Sequence, residues 1–557
     1  MSHDLFERHR DILEQAIAAT RSREYFSAFN ESPSPRVYGE NAAVDGKAAF
    51  EAHAGTTFPL TTPGAEGTVS TEKSPYGFAL DVSYPRVSET GVEELVAAAG
   101  AGLKAFRDAG PQMRVGVCLE ILHRLHGRIF ELANAVQHTS GQAFVMAFQA
   151  GGAHALDRAL ESIAYAYEEM TRTPSTAVWE KPAKGEPLRM EKTFTAVPRG
   201  LALTIGCNTF PTWNSWPGLF ASLACGNPVI IKPHPGAVLP LAITTQVAQE
   251  VLAEAGFDAN LVTLAAEDPA DGLAKTLALR PEVRLIDYTG SNAFGDWLEE
   301  NARQAIVFAE KAGVNTVVID STDSFKGLCM NLAFSFSLYT GQMCTAPQNV
   351  YLPADGIETD DGRKSLEEVA AGIGGALDKL LGDDARAVEL LGGVVNDGVL
   401  SRLSESSSQG EVLVPSREVR HPSYGDALVR TPTLVGVDAT KDAEVYETEC
   451  FGPVAYLIKT SGTGESIDLF RRTVIEHGAM TAAVYSTSDE VVASMRAAAL
   501  DAGVALSENL TGQVFVNQSA AFSDFHGTGA NPAANASFTD TAYVASRFRI
   551  IQSRRHV

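Results

Sequence analysis

No apolar run in this chain approaches the length of a membrane span. No Cys-x-x-Cys occurs either. The six cysteines (Cys118, Cys207, Cys225, Cys329, Cys344 and Cys450) are scattered, which suits reduced thiols better than a disulfide frame or a zinc site. The twelve histidines form no metal signature. His123 and His126 stand at helical spacing in "HRLH" without a third ligand, so they read as a solvated helix face and no metal is expected. Basic residues are scarce, 44 against 68 acidic, for a net charge of −24. That excludes general binding to nucleic acid or an anionic membrane, and it means an anionic substrate would need a local basic patch. The opening "MSHDLFERHRDILEQ" has no basic stretch leading into an apolar one, so no secretory leader is expected and the expected location is cytoplasmic. Gly-x-Gly-x-x-Gly is absent, and with it the ordinary dinucleotide fingerprint.

What is present is alternation. At 557 residues the chain is too long for one hydrophobic core, so two or more domains are expected. Up to about residue 80 it reads as one early helix and then loops rich in Pro and Gly. Long amphipathic helical patterns follow from "GVEELVAAAGAGLKAFRDAG" onward. "TAVWEKPAKGEPLRMEKTFTAVPRG" breaks them and reads as a hairpin. After it, apolar strands ("LALTIG", "PVIIKP", "LVTLAA", "VRLIDYTG", "AIVFAE") alternate with helices, which implies a doubly wound parallel sheet. A second such run begins at "NTVVID", with "FGPVAYLIKT", "AAVYST" and "QVFVNQ" as later strands.

Four places can carry chemistry. "YTGSNAFG" ends a strand at Gly290 and opens a helix at Ser291, where backbone N–H groups favour phosphate. Lys232 follows a buried strand; it is either a nucleotide-binding lysine or one that snorkels from a strand end. Glu310 ends an apolar strand in "FAEKAGVN"; it is either a general base with a raised pKa or a surface partner of Lys311. Cys344 lies in "YTGQMCTAPQNV", between a Gly-Gln pair and an Ala-Pro corner; it is either a packed small hydrophobe or a nucleophile.

Together these pieces resemble the aldehyde dehydrogenase superfamily from about residue 75 onward. The matching segments are "FPTWNSWPGLFASLACGNPVIIKP", "YTGSNAFG", "FAEKAGVN", "GQMCTAP", "ECFGPV" and "FVN", with Glu310 and Cys344 34 residues apart as in that family. The extended N-terminal region and the departures look most like its phenylacetic acid degradation branch (the PaaN type without a fused hydratase domain). The resemblance implies an α/β fold with a Rossmann-type cofactor domain (76–176 and 199–310), an α/β catalytic domain (311–541), a small β oligomerisation element (177–198 with a terminal strand in 542–557) and an N-terminal extension (1–75). It implies that Cys344 attacks an aldehyde to give a thiohemiacetal, then a thioester that Glu310 hydrolyses with water. It also places Lys232 and His234 at the adenosine ribose or its phosphate, Gly290 and Ser291 at the pyrophosphate, Glu449 on the nicotinamide ribose and Phe451 beside the nicotinamide ring.

The departures matter as much. The family's oxyanion asparagine falls at Thr209, one residue after Asn208. Asn208 is taken as the donor, with a local bulge restoring its direction. Lys311-Ala312 replaces a Gly-Gly pair, and "FHGTGANPAANASF" replaces a segment of the family's substrate tunnel. Pro235 stands where NAD-preferring members commonly carry a ribose-binding glutamate, so NADP is expected to be accepted and slightly favoured over NAD. The expected partner is a small aldehyde, by resemblance a coenzyme A-linked semialdehyde of phenylacetate catabolism, in a homodimer or homotetramer. A broad aldehyde oxidiser and a catalytically silent scaffold are the competing readings.

Overall fold

The computed structural model describes residues 2–311 and 313–557; Ala312, half of the Lys-Ala pair noted above, lies outside the described residues. Two parallel sheets organise the chain. The first has five strands in the order Val262–Leu264, Val229–Lys232, Leu201–Ile205, Val283–Thr289, Ile306–Glu310, all parallel. Its strands read as unbroken apolar runs because helices cover both faces; every residue of Leu201–Ile205 is buried. The chain leaves Leu201–Ile205 toward one side and later returns to its other side through Val283–Thr289. A crevice therefore opens at the carboxyl ends of these two strands, at Gly206 and Gly290. The second sheet has seven strands, with Thr316–Ile319, Asn349–Pro353 and Val454–Thr460 among its central parallel members. Its outermost pair, Glu411–Val414 on Thr433–Asp438, is antiparallel.

A third, three-stranded sheet projects from these. Thr176–Lys181 pairs with Leu188–Pro198, which pairs along its whole length with the terminal strand Phe548–His556. Val178, Leu188 and Ile551 of this sheet are exposed. The terminal strand starts at Phe548, not Ala542. Residues Thr541–Ala545 form a helical turn instead, because the Asp540 carboxylate accepts the Tyr543 N–H at 2.7 Å. "QVFVNQ" is not a strand either; it is irregular chain that lines a cavity.

The region before residue 80 is more helical than its sequence suggested, with helices Ser2–Arg8, Arg10–Ser22 and Ala42–Glu51. Each is short and separated from the next by polar or Pro-rich chain, so the 3.6-residue period has little room to show. The first packs so closely on Gly110–Gly127 that a Cβ at Gly116 would lie 2.7 Å from the Phe6 nitrogen.

The terminal segment is clamped to the first sheet by a buried ion pair. Arg547 donates two bonds to Asp287, at 2.6 and 2.8 Å, and Tyr543 adds its hydroxyl at 2.8 Å. Gly218 is the only residue type that fits opposite, since a Cβ there would meet the Asp287 carboxyl at 2.3 Å. Removing one partner leaves an uncompensated buried charge. Arg547→Met is expected to lower unfolding stability by about 3–5 kcal/mol, read as a shift of the urea midpoint, with much of the loss recovered in the Asp287→Leu/Arg547→Met double variant.

Candidate active site

Cys344 sits in a loop that its surroundings hold in an unfavourable shape. Tyr339 and Thr340 both have left-handed backbones, φ 52° and 56°, and Gly341 follows at 66°. Such a φ is costly for a β-branched residue and persists only when neighbours impose it. The Tyr339 hydroxyl donates to the Ser140 carbonyl, and the Thr340 hydroxyl to Gly392 at 2.8 Å. The Gln342 side chain donates to Gly393 at 3.0 Å and accepts from Val395 at 3.0 Å. Gly341 is required because a Cβ would lie 2.4 Å from the Gly452 carbonyl. Beyond the cysteine, the Asn315 amide donates to the carbonyls of Cys344 and Ala346, both at 2.8 Å, while its oxygen accepts from Met480 and Thr481. The Gly-Gln pair and the Asn of "FAEKAGVN" are thus fixtures for the sulfur.

Glu310 ends the last strand of the first sheet and is 1% exposed. It does not pair with Lys311, which turns away to Asp296 and Glu299 at 2.8 Å each. Its partners are the His526 Nε2, 3.2 Å from Oε2, and the Asn214 amide, which donates to the same oxygen at 3.2 Å. Oε1 is buried with no hydrogen-bond partner. Burial pushes this carboxyl up, but the His526 charge and the hydrogen bonds of His526, Cys344 and Asn214 outweigh it and hold the pKa below the ordinary value. That reverses the raised pKa expected from sequence. The Cys344 Sγ lies 3.9 Å from His526 Nε2. Burial and then the Glu310 charge push the thiol well above its usual range.

His526 arrives from "FHGTGANPAANASF". This segment docks along the strand that ends at Glu310. The Lys311 N–H donates to the Ala533 carbonyl at 2.6 Å, Asn535 donates its N–H to Ala309 at 3.1 Å, and its side-chain oxygen accepts from the Ala309 N–H at 2.8 Å. Asn531 ties the same segment to Ala479 and Gly503. The asparagines act as extra backbone, and the histidine ring is carried over the carboxylate, edge-on to Trp213 at 4.5 Å. Sequence reading missed His526 and Asn214. The only signal for His526 was its place in a segment already marked as a departure; Asn214 lay unremarked within a matching segment.

Two cavities meet at Cys344. One, of about 540 Å³, opens at the carboxyl ends of the first sheet. The candidate catalytic and cofactor-binding residues all line it: Cys344, Glu310, Asn208, Lys232, His234, Gly290, Ser291, Glu449 and Phe451. Gly290 permits a close turn, since a Cβ would lie 2.4 Å from the Tyr288 hydroxyl. Ser291 caps the helix Asn292–Asn301 from an extended backbone without using its side chain. Lys232 forms a buried ion pair with Glu267, a carboxylate that also accepts the Leu273 N–H at 2.6 Å. Glu267 was not foreseen. The His234 Nδ1 accepts from Gly236 at 3.0 Å on an exposed side chain, and desolvation by neighbouring protein, then the Lys232 charge, hold its pKa below the ordinary value, so the ring is mostly neutral at pH 7. Burial pushes the Glu449 carboxyl up to about 7 against the pull of Arg402. The Asn208 amide donates to the Thr139 carbonyl at 3.0 Å, and the Thr209 carbonyl is taken by Gln142. The amide that reaches the carboxylate is Asn214. Its oxygen accepts from the Cys207 thiol at 3.7 Å, which orients its nitrogen toward Glu310.

The other cavity, of about 720 Å³, lies on the opposite side of the sulfur. Phe210, Asn214 and Cys344 border both. Its wall mixes polar side chains with rings, among them Trp213 and the stacked pair Phe334 and Phe515 at 3.8 Å between ring centres. Tyr25, Phe26 and Ser27 of the N-terminal region complete it. Ser27 and the Ala28 N–H are anchored on Asp157 at 2.7 and 2.9 Å. Among the described residues that line this cavity, none is Lys or Arg. No helix among the described residues is long and apolar enough to cross a membrane.

This arrangement agrees with what the chain is similar to. The family described as "Aldehyde dehydrogenase family" matches residues 66–530. The solved structure of an NAD-dependent aldehyde dehydrogenase from Burkholderia multivorans superposes with a TM-score of 0.98, at 56% identity over 100% of both chains. A 1-pyrroline-5-carboxylate dehydrogenase of Bacillus mycoides is 24% identical over 72% of this chain and 75% of its own length. The benzaldehyde dehydrogenase YfmT of Bacillus subtilis is 24% identical over 59% of this chain and 62% of its own. The chain belongs to the aldehyde dehydrogenase family.

Proposed function

We propose that this protein oxidises an aldehyde to the carboxylic acid with a nicotinamide dinucleotide, using Cys344 as nucleophile and Glu310 as base. The observation that carries the reading is the position of the Cys344 sulfur where two cavities meet, with the Glu310 carboxylate lining one of them. The narrower crevice fits a dinucleotide. Gly290 and Ser291 offer backbone at a helix N-terminus for the pyrophosphate, Lys232 and Glu267 flank the adenosine end, and Glu449 and Phe451 face the nicotinamide end. When bound, the dinucleotide accepts the hydride.

The thiol proton passes to Glu310, which His526 and Asn214 keep ionised and therefore receptive. The thiolate adds to the aldehyde carbon and an oxyanion develops. Its donors are the Cys344 N–H and the second N–H of the Asn214 amide; this role moves from Asn208, whose amide is occupied by Thr139. After hydride leaves the carbon, a thioester remains. Glu310 has meanwhile released its proton by way of His526 and can deprotonate the attacking water. Acid, reduced dinucleotide and one proton are the products.

A cavity wall without Lys or Arg, carrying the rings of Trp213, Phe334 and Phe515, supports a substrate with an aryl or unsaturated acyl chain near the aldehyde. This accommodates a semialdehyde of phenylacetate breakdown, of the PaaN kind, provided the phosphates of a coenzyme A thioester stay outside. Lys232 is neutralised by Glu267 and His234 is uncharged, so neither offers net positive charge to a 2′-phosphate. On this ground NAD is the better cofactor, against the sequence-based leaning to NADP.

Steady-state kinetics across aldehydes and both cofactors test this. Aryl and medium-chain aldehydes should exceed succinic semialdehyde in kcat/KM, and NAD should exceed NADP; the reverse order in either comparison refutes that part. Among variants, Cys344→Ala should abolish turnover, and Glu310→Gln should give at most one hydride per site. Asn214→Leu should lower kcat by about 10²–10³ with little change in KM, and Asn208→Leu far less.

A further inference from the structure

We propose that Glu310, Cys344 and His526 form a zinc site, binding one Zn²⁺ through a thiolate sulfur, an imidazole nitrogen and a carboxylate oxygen and thereby blocking the aldehyde reaction reversibly. The first support is distance. One ligand atom from each of the three lies within 4.8 Å of the others. A tetrahedral Zn²⁺ with bonds of about 2.3 Å to sulfur and about 2.0–2.2 Å to nitrogen and oxygen requires an S–N separation of about 3.5 Å and an N–O separation of about 3.4 Å. The site offers 3.9 Å from Sγ to Nε2 and 3.2 Å from Nε2 to Oε2. These two separations need shifts of only a few tenths of an ångström, and the sulfur–carboxylate separation lies within 4.8 Å.

The second support is donor chemistry. Thiolate and imidazole select zinc over magnesium or calcium, which prefer oxygen. A thiolate and a carboxylate carry two negative charges, so a divalent ion leaves a neutral cluster where burial makes net charge expensive. The third is a vacancy in the hydrogen bonding: Glu310 Oε1 is buried without a partner, on a side chain 1% exposed. The Asn214 amide already orients Oε2 from behind, as a second layer around a metal does. Cys344 borders both cavities, so a water from either can take the fourth position.

Binding replaces the thiol proton: the S–H bond breaks, the S–Zn bond forms and one proton goes to solvent, with no change of oxidation state. The inference rests on the geometry of the site and shares its residues with the proposed reaction, so the two need separate readouts. Full-length protein, freed of metal with a chelator, is titrated with Co²⁺ as a spectroscopic stand-in for zinc. One Co²⁺ per chain is expected, with a thiolate-to-cobalt charge-transfer band that Zn²⁺ abolishes by displacement. Zn²⁺ should also protect Cys344 from iodoacetamide, and a chelator should restore its reactivity. His526→Ala should weaken Zn²⁺ binding at least tenfold, and Glu310→Gln should weaken it as well, each judged in protein that melts cooperatively and still alkylates at Cys344. Absence of the charge-transfer band, or equal Zn²⁺ affinity in both variants and the parent, overturns the site. Turnover measured in chelator reports on the reaction independently: an active enzyme that takes no Co²⁺ sinks only the metal site, and an inactive chain that takes Co²⁺ sinks only the reaction.

Discussion

A carboxylate taken almost wholly out of water has to be compensated, and at Glu310 the compensation is His526. Without the imidazole and the Asn214 amide, burial alone would drive this carboxyl toward its neutral form, and a neutral acid cannot receive a proton. The contact also joins parts of the chain far apart in sequence. Glu310 closes the first sheet, Asn214 comes from the first turn of the helix after "LALTIG", and His526 from a segment near the end. Each is placed by its own element: a parallel strand, a helix started by Pro211, and an asparagine-rich stretch that docks on the strand edge.

The sulfur is positioned by a different economy. Two consecutive non-glycine residues in the left-handed region store strain just before it, and hydrogen bonds donated to the carbonyls of Ser140, Gly392 and Gly393, with one from Asn315, hold that strain in place. Because these bonds reach into the helical region, the second sheet's loops and the strand after Glu310, the loop cannot relax without disturbing all three. The consequence is a thiol fixed where the two cavities meet.

How much of this could be read beforehand follows from which interactions are local. Apolar strands alternating with helices announced the first sheet, because burial on both faces writes itself into contiguous residues. Gly290, Ser291 and Lys232 were legible because strand ends and helix starts are local features. Glu310 was legible as a strand-end carboxylate, though not the sign of its pKa, which depends on a histidine 216 residues away. Asn214, Glu267 and His526 act only through tertiary contacts, and no spacing in the chain marks them. The different directions of Asn208 and Asn214 have the same origin: counting along the chain gives position, whereas the partners Thr139 and Cys207 decide where each amide points. One early helix was expected; the other helices before residue 80 did not show because pieces such as Ser2–Arg8 and Ala42–Glu51 are too short to display a period.

The account turns on a covalent acyl–sulfur bond at one cysteine among six. The most direct measurement is peptide mapping by mass spectrometry of enzyme quenched with acid during turnover of an aldehyde and NAD. The account predicts an acyl group on Cys344, of the aldehyde's mass less two hydrogens. Rapid acid formation with Cys344 unmodified, or with the acyl group on Cys207 or Cys450, would contradict it.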